Sequence, residues 1–140
     1  MFAAVNPGRT DKLILAAPSI NMPQRTIPSI LWPLAKACVS TSPSFWPTLT
    51  VDAFRAGPSL IVRTARQLFD IDGLRHAAAI EAPTLLIWGE RDPLVPVNRA
   101  ASVQAVIPGS ELRVIPRAGH VPMWEAPKQF NAIAMEFLSR

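Results

Sequence analysis

Pro83-Thr84-Leu85-Leu86-Ile87-Trp88-Gly89-Glu90-Arg91-Asp92-Pro93-Leu94-Val95-Pro96 carries the reading of the fold. A proline opens an apolar run, a glycine ends it, and a short charged turn follows. A nearly continuous apolar run of this length suits a strand covered on both faces in a parallel sheet. Upstream, Lys12–Ala16 is a second such run, after the turn signal Pro7-Gly8. Downstream, Glu111–Ile115 is a third β-like run, set between Pro108-Gly109 and Pro116.

Helical periodicity fills the gaps. Val97, Ala100, Ala101, Val103 and Ile107 lie at helix-like spacing, with Asn98 available as a cap. Phe130, Ile133, Ala134, Phe137 and Leu138 recur at i, i+3, i+4, i+7 and i+8, and Pro127 sits where a first-turn proline is tolerated. Strand, helix, strand and helix joined by short links imply a right-handed parallel α/β unit. The link between the first two strands is far longer than an ordinary connection. Its stretch 18–58 holds seven of the fifteen prolines, and the link carries two helical stripes, Ile30, Leu31, Leu34 and Cys38, then Leu60, Ile61, Ala65, Leu68 and Phe69. Residues 19–79 are therefore expected to form a helical insertion above the sheet, of the kind that acts as a lid over a ligand cleft.

Composition narrows the field. Of the 140 residues 49% are hydrophobic and 17% charged, which excludes a disordered chain and fits one domain with a real core. The excess of 14 Lys+Arg over 10 Asp+Glu, a net charge of +4, is mild and scattered, so no nucleic-acid partner is expected. The lone Cys38 has no disulfide partner and no companions for a zinc site; it reads as a small apolar helix residue. The first residues lack a signal peptide's basic and apolar regions, and no run of apolar residues is long enough to span a membrane. A cytoplasmic location is the expectation.

Two residues stand out for chemistry. Asp92 follows the end of the second strand, and His120, in Arg117-Ala118-Gly119-His120-Val121-Pro122, follows the end of the third. Reacting groups gather outside the carboxyl ends of strands in open α/β sheets. Adjacent strands are about 5 Å apart, so loops leaving the same edge can bring two side chains together. A carboxylate against an imidazole fixes the ring's tautomer and stabilises its charged form, the orienting half of a nucleophile–His–acid triad. Gly89 and Gly119 suit sharp turns. Taken alone, Asp92 before Pro93 also reads as a turn former. His76, Glu90 and Glu125 read as surface or capping residues.

Residues 83–96, followed by Ala118-Gly119-His120-Val121-Pro122-Met123-Trp124-Glu125-Ala126-Pro127 and Phe130-Asn131, closely resemble the C-terminal part of α/β-hydrolase-fold enzymes. The separation of 28 residues between Asp92 and His120 is in keeping with that pattern. The resemblance is dense over residues 80–140, covers 1–18 as the end of a core helix and a strand, and covers the region between only by position, where the family carries a variable cap. It implies a partial α/β-hydrolase fold of about three parallel strands flanked by helices, with 1–18 and 80–140 as core and 19–79 as cap. It also implies Asp92 as triad acid and His120 as triad base, with neither cofactor nor metal required.

The family's nucleophile elbow, Gly-x-Ser-x-Gly between a strand and a helix, is missing from these 140 residues. Gly109-Ser110 lies in a turn and is no elbow. The chain is expected to begin just after the nucleophile and to be inactive alone, because activity surviving triad loss rests on an oxyanion hole that would be absent too. In complete form it is expected to hydrolyse an ester or related bond of a small apolar molecule, under a lid bearing Ile30, Leu31, Trp32, Phe45, Trp46 and Phe69. The first strand should present an open apolar edge, inviting self-association or a complementary half. A competing reading follows, a non-catalytic half-domain that binds a partner chain through that edge.

Overall fold

The structure, a computed structural model, describes residues 2–20, 27–70 and 73–140. Three parallel strands, β1 (Leu13–Ala16), β2 (Thr84–Gly89) and β3 (Glu111–Ile115), form one sheet in the order β1-β2-β3. Leu13 faces Thr84 and Ala16 faces Ile87 across one ladder; Leu85 faces Glu111 and Gly89 faces Ile115 across the other. Each matches its sequence run to within a residue. Lys12 stays outside β1, and its ammonium donates to the carbonyls of Phe137 and Leu138 at 3.1 and 2.9 Å. A cation there satisfies carbonyls that the end of a helix leaves unpaired.

Strand β2 is buried at every position, as its unbroken apolar run predicts. Its alternation divides the core between two faces. Leu86 and Trp88 pack with Ala77, Ile80, Val95, Ala100, Val103 and Ile107, whereas Leu85 and Ile87 pack with Ile115, Ala118 and Phe137. The first face is covered by helices α4 (Gly73–Ala78) and α5 (Ala100–Gln104), the second by α7 (Pro127–Leu138). A short helix α1 (Phe2–Val5) precedes β1, and α6 (Pro122–Glu125) precedes α7.

Three expectations are corrected here. Strand β1 is half-buried throughout rather than fully covered, because it lies at an edge and pairs with β2 alone among the described residues. Asn98 does not cap α5: it sits inside a 3-10 turn, Val97–Arg99, that starts after Pro96 without a side-chain cap. Ala101 is also exposed although its spacing placed it on the inner face.

The long link holds α2 (Ile27–Ser40), a 3-10 turn (Pro43–Phe45) and a long α3 (Trp46–Asp70). Helix α3 bends at Gly57, whose φ of 72° and ψ of 159° lie outside helical space. The cause is local: Pro58 disfavours helical geometry at the residue before it, and only glycine tolerates the resulting conformation cheaply. Trp32, Val39, Val51, Phe54, Leu60 and Ile61 are exposed along these helices. The side chains of Ile30, Leu31, Leu34, Ala65, Leu68 and Phe69 lie outside the described residues. No described helix is long and apolar enough to cross a membrane.

Candidate functional site

The acid loop is built by the end of β2. Asp92 is 5% exposed. Its Oδ1 accepts the amides of Leu94 and Val95, both at 2.8 Å, which folds residues 92–95 into a tight turn. The turn is pinned from below by Trp88, whose ring N–H donates to the Val95 carbonyl at 2.7 Å. Asp92 is thus the turn former that an Asp-Pro pair suggests, but Oδ1 alone performs that task.

Oδ2 faces the other loop. It lies 2.8 Å from Nδ1 of His120, so residues 28 apart in sequence meet as expected. The carboxylate side chain is fully buried while the imidazole remains 28% exposed. With an ionised carboxylate at Nδ1, that nitrogen carries the ring proton and Nε2 of the neutral imidazole is an acceptor. Nε2 has no hydrogen-bond partner among the described residues.

The two loops are laced together by backbone. Glu90 N–H donates to Ile115 O at 3.1 Å and Arg91 N–H to Ala118 O at 2.9 Å, while the Glu90 carboxylate accepts from Arg117 N–H at 2.9 Å. Gly89 makes this closeness possible: a Cβ there would lie 2.0 Å from Gly119 O and 2.6 Å from Ala118 O. Neither Gly89 nor Gly119 has a positive φ, so no sharp turn calls for them, and at Gly89 it is the close approach of backbone that requires glycine. The backbone strain falls elsewhere, with φ of 65° at Arg117 and 41° at Ala17, both just past strand ends on the same edge of the sheet.

The other singled-out residues fall as follows. Glu125 is half-buried, and its carboxylate accepts from the amides of Gly119 at 2.5 Å and Val121 at 3.3 Å. This is more than the surface or capping part expected of it. Its partners are main-chain amides, so only the interval of five residues from His120 could have signalled it. His76 lies on α4 and lines a cavity of about 320 Å³ with Ala4, Val5, Arg75 and Ala79. Ser110 lies at the amino end of β3 and bonds to Gln104. A strand of five residues separates it from the His120 loop by about 16 Å, so it does not serve as a nucleophile there. Cys38 is a half-buried free thiol on α2.

A cleft of about 740 Å³ opens beside the acid loop, lined by Glu90, Arg91, Asp92, Pro93, Pro96, Val97 and Asn98 and, from α2, Lys36. The long link touches the histidine side as well. Trp124 on α6 meets Phe45 in a tilted ring contact, with centroids 5.2 Å apart and planes at 59°, and its ring N–H donates to Ser44 Oγ at 2.9 Å. Trp32 and Trp46 are 78% and 48% exposed.

A three-stranded parallel α/β sheet with a buried acid paired to a histidine beyond its carboxyl edge defines a partial α/β-hydrolase fold. A model of the alpha/beta hydrolase family matches residues 2–133, and the chain belongs to that family. Over 61 residues it is 41% identical to a 2-hydroxy-6-oxononadienedioate/2-hydroxy-6-oxononatrienedioate hydrolase of Pseudomonas putida, covering 44% of this chain and 21% of that protein. Over 60 residues it is 38% identical to 2-hydroxy-6-oxo-6-phenylhexa-2,4-dienoate hydrolase of Burkholderia cepacia, covering 43% and 21%. The matches thus span about a fifth of those relatives' length. In fold, 99% of the chain superposes on 62% of a bromoperoxidase from Bacillus anthracis, with a TM-score of 0.83 at 17% identity.

Proposed function

We propose that Asp92 and His120 are the acid and base of a hydrolytic triad whose nucleophile lies on a segment outside these 140 residues. The observation that carries this reading is the 2.8 Å contact between buried Oδ2 and Nδ1, with Nε2 left open. In the reaction, Nε2 takes the proton from the nucleophile's O–H as its oxygen attacks a carbonyl carbon. Asp92 steadies the imidazolium that forms. Nε2 then returns the proton to the leaving group, and a second cycle with water releases the product.

The substrate is a small molecule with an electrophilic carbonyl. An ester fits the mechanism, but the relatives' names support a different bond. A 2-hydroxy-6-oxo dienoate has a ketone and no ester, so its hydrolysis must break a carbon–carbon bond beside that ketone. Helices α2 and α3 act as the cap, with Lys36 of α2 at the cleft and Trp32 and Trp46 supplying exposed apolar surface. Neither metal nor cofactor enters this scheme.

The test is an exchange. Residues 80–140 of this chain, which hold Asp92 and His120, replace their counterpart in the Pseudomonas putida hydrolase, and turnover of a 2-hydroxy-6-oxo dienoate is measured. The exchanged protein should be active and should lose roughly 10³-fold or more in kcat on His120→Ala. A folded exchange protein indifferent to His120→Ala would sink the proposal. The chain by itself should turn over p-nitrophenyl butyrate no faster than its own His120→Ala variant. A second reading, a non-catalytic half-domain that binds a partner chain, is supported by the outer edge of β1, which pairs with no strand among the described residues.

A further inference from the structure

We propose that Glu125 is the positioning residue for His120: its carboxylate holds the two amides that flank the histidine and thereby fixes where the imidazole stands. The inference rests on reading Asp92–His120 as a catalytic pair, but its geometry is independent of that reading.

Between Ala118 and Pro122 the chain turns from the end of β3 into α6, and it needs acceptors for its amides there. Gly119 and Val121 both donate to Glu125, one to each oxygen. Only the Val121 bond resembles a helix cap, since Val121 precedes α6, and even there Glu125 stands one residue beyond the position from which a capping glutamate reaches back. The bond to Gly119 lies two residues further out, on the far side of His120, and helix capping does not require it. The two bonds together fix the histidine backbone from both sides.

Gly119 supports the same conclusion. Its φ is not positive, so no turn geometry calls for glycine. A Cβ at this position would instead lie 2.9 Å from Glu125 Oε2 and 3.1 Å from Oε1. The carboxylate occupies the space that a side chain would need. The glycine before the histidine and the glutamate five residues after it are therefore one device. Two acceptor oxygens are essential to it: a glutamine would turn an NH₂ donor toward one of the amides. Further back, Glu90 holds Arg117 N–H in the same manner, but it does not reach the histidine's own peptide units.

The experiment uses the full chain with Glu125→Gln, Glu125→Ala and Asp92→Asn. Amide exchange at Gly119 and Val121 and the ring N–H signal of His120 are followed by NMR, and global stability by urea. Glu125→Ala should speed exchange at both amides roughly 10- to 100-fold, the size expected for losing a bond to a charged acceptor. It should also broaden or displace the ring signal. Glu125→Gln should release one of the two amides and keep the other. Asp92→Asn should remove the ring signal's partner and leave both amides protected. Unchanged exchange at 119 and 121, or an unaltered ring signal in Glu125→Ala, would overturn the proposal. So would faster exchange spread evenly over the whole chain, or failure of the isosteric Glu125→Gln to fold, since either would assign Glu125 a general structural part. None of these readouts depends on turnover, so failure of the catalytic reading would show only in the exchanged hydrolase.

Discussion

At the scale of single residues, the site is governed by how many acceptors each carboxylate offers and where. Asp92 divides its oxygens, Oδ1 for the turn amides and Oδ2 for the imidazole. That division lets one buried charge shape the loop through one oxygen and orient the ring through the other. The loops approach closely enough only because Gly89 has no side chain. Gly89→Ala would drive a methyl to 2.0 Å from a carbonyl oxygen of the backbone, a contact that no rotamer change relieves. We expect it to cost about 2–4 kcal/mol of stability by overpacking and to separate Asp92 from His120. Urea denaturation would read the first effect, and loss of the His120 ring N–H signal the second. An alanine variant with wild-type midpoint and signal would show that the loops yield without cost.

At the scale of elements, legibility followed the range of the forces involved. The strands were readable because an apolar run bounded by Pro and Gly is a local signal, and β2 is as buried as its run implies. The meeting of Asp92 and His120 was readable because parallel neighbours release their loops at one edge. Asn98 misled because a polar residue near a helix start is a cap only when its backbone leaves the helix, and here a 3-10 turn begins before it. Glu125 was not legible as a clamp, since its partners are main-chain amides that every sequence has. The contact of Trp124 with Ser44 and Phe45 spans 80 residues and leaves no local trace. The bend in α3 is the opposite case, written in the dipeptide Gly57-Pro58. A Cβ at Gly57 meets open space, yet its φ of 72° with ψ of 159° is a region reserved to glycine. Gly57→Ala should therefore destabilise the bent helix by about 1–3 kcal/mol through backbone strain alone. Helix loss in thermal melts followed by circular dichroism would measure it. No change would mean that the bend relaxes freely.

At the scale of the whole molecule, the asymmetry of the sheet is the dominant fact. Strand β3 is one edge and β1 the other, and among the described residues β1 pairs with β2 alone. Leu13 and Ala17 direct their N–H groups to Pro83 and Ile87 at 2.9 Å. By the alternation of a parallel ladder, the N–H and C=O groups of Ile14 and Ala16 point away from β2. They meet no described partner. Apolar side chains beside unpaired backbone make a template for another strand, whether a complementary segment or a second copy. The chain should therefore associate, with an apparent mass in light scattering that rises with concentration. Proline at position 16 distinguishes this edge from any other sticky surface. The Ala16 N–H makes no bond to β2, so Ala16→Pro removes no ladder bond, and proline's φ is tolerated in an edge strand. The variant should keep the fold, with a stability change of about 1 kcal/mol or less, and lose the concentration dependence. If it associates as the parent does, attraction lies elsewhere, and the exposed apolar face of α2 and α3, with Trp32 and Phe54, becomes the surface to change next. If the parent chain is itself a monodisperse monomer with a sharp cooperative melt, the open edge is stable in water, and the partner-binding reading loses its support.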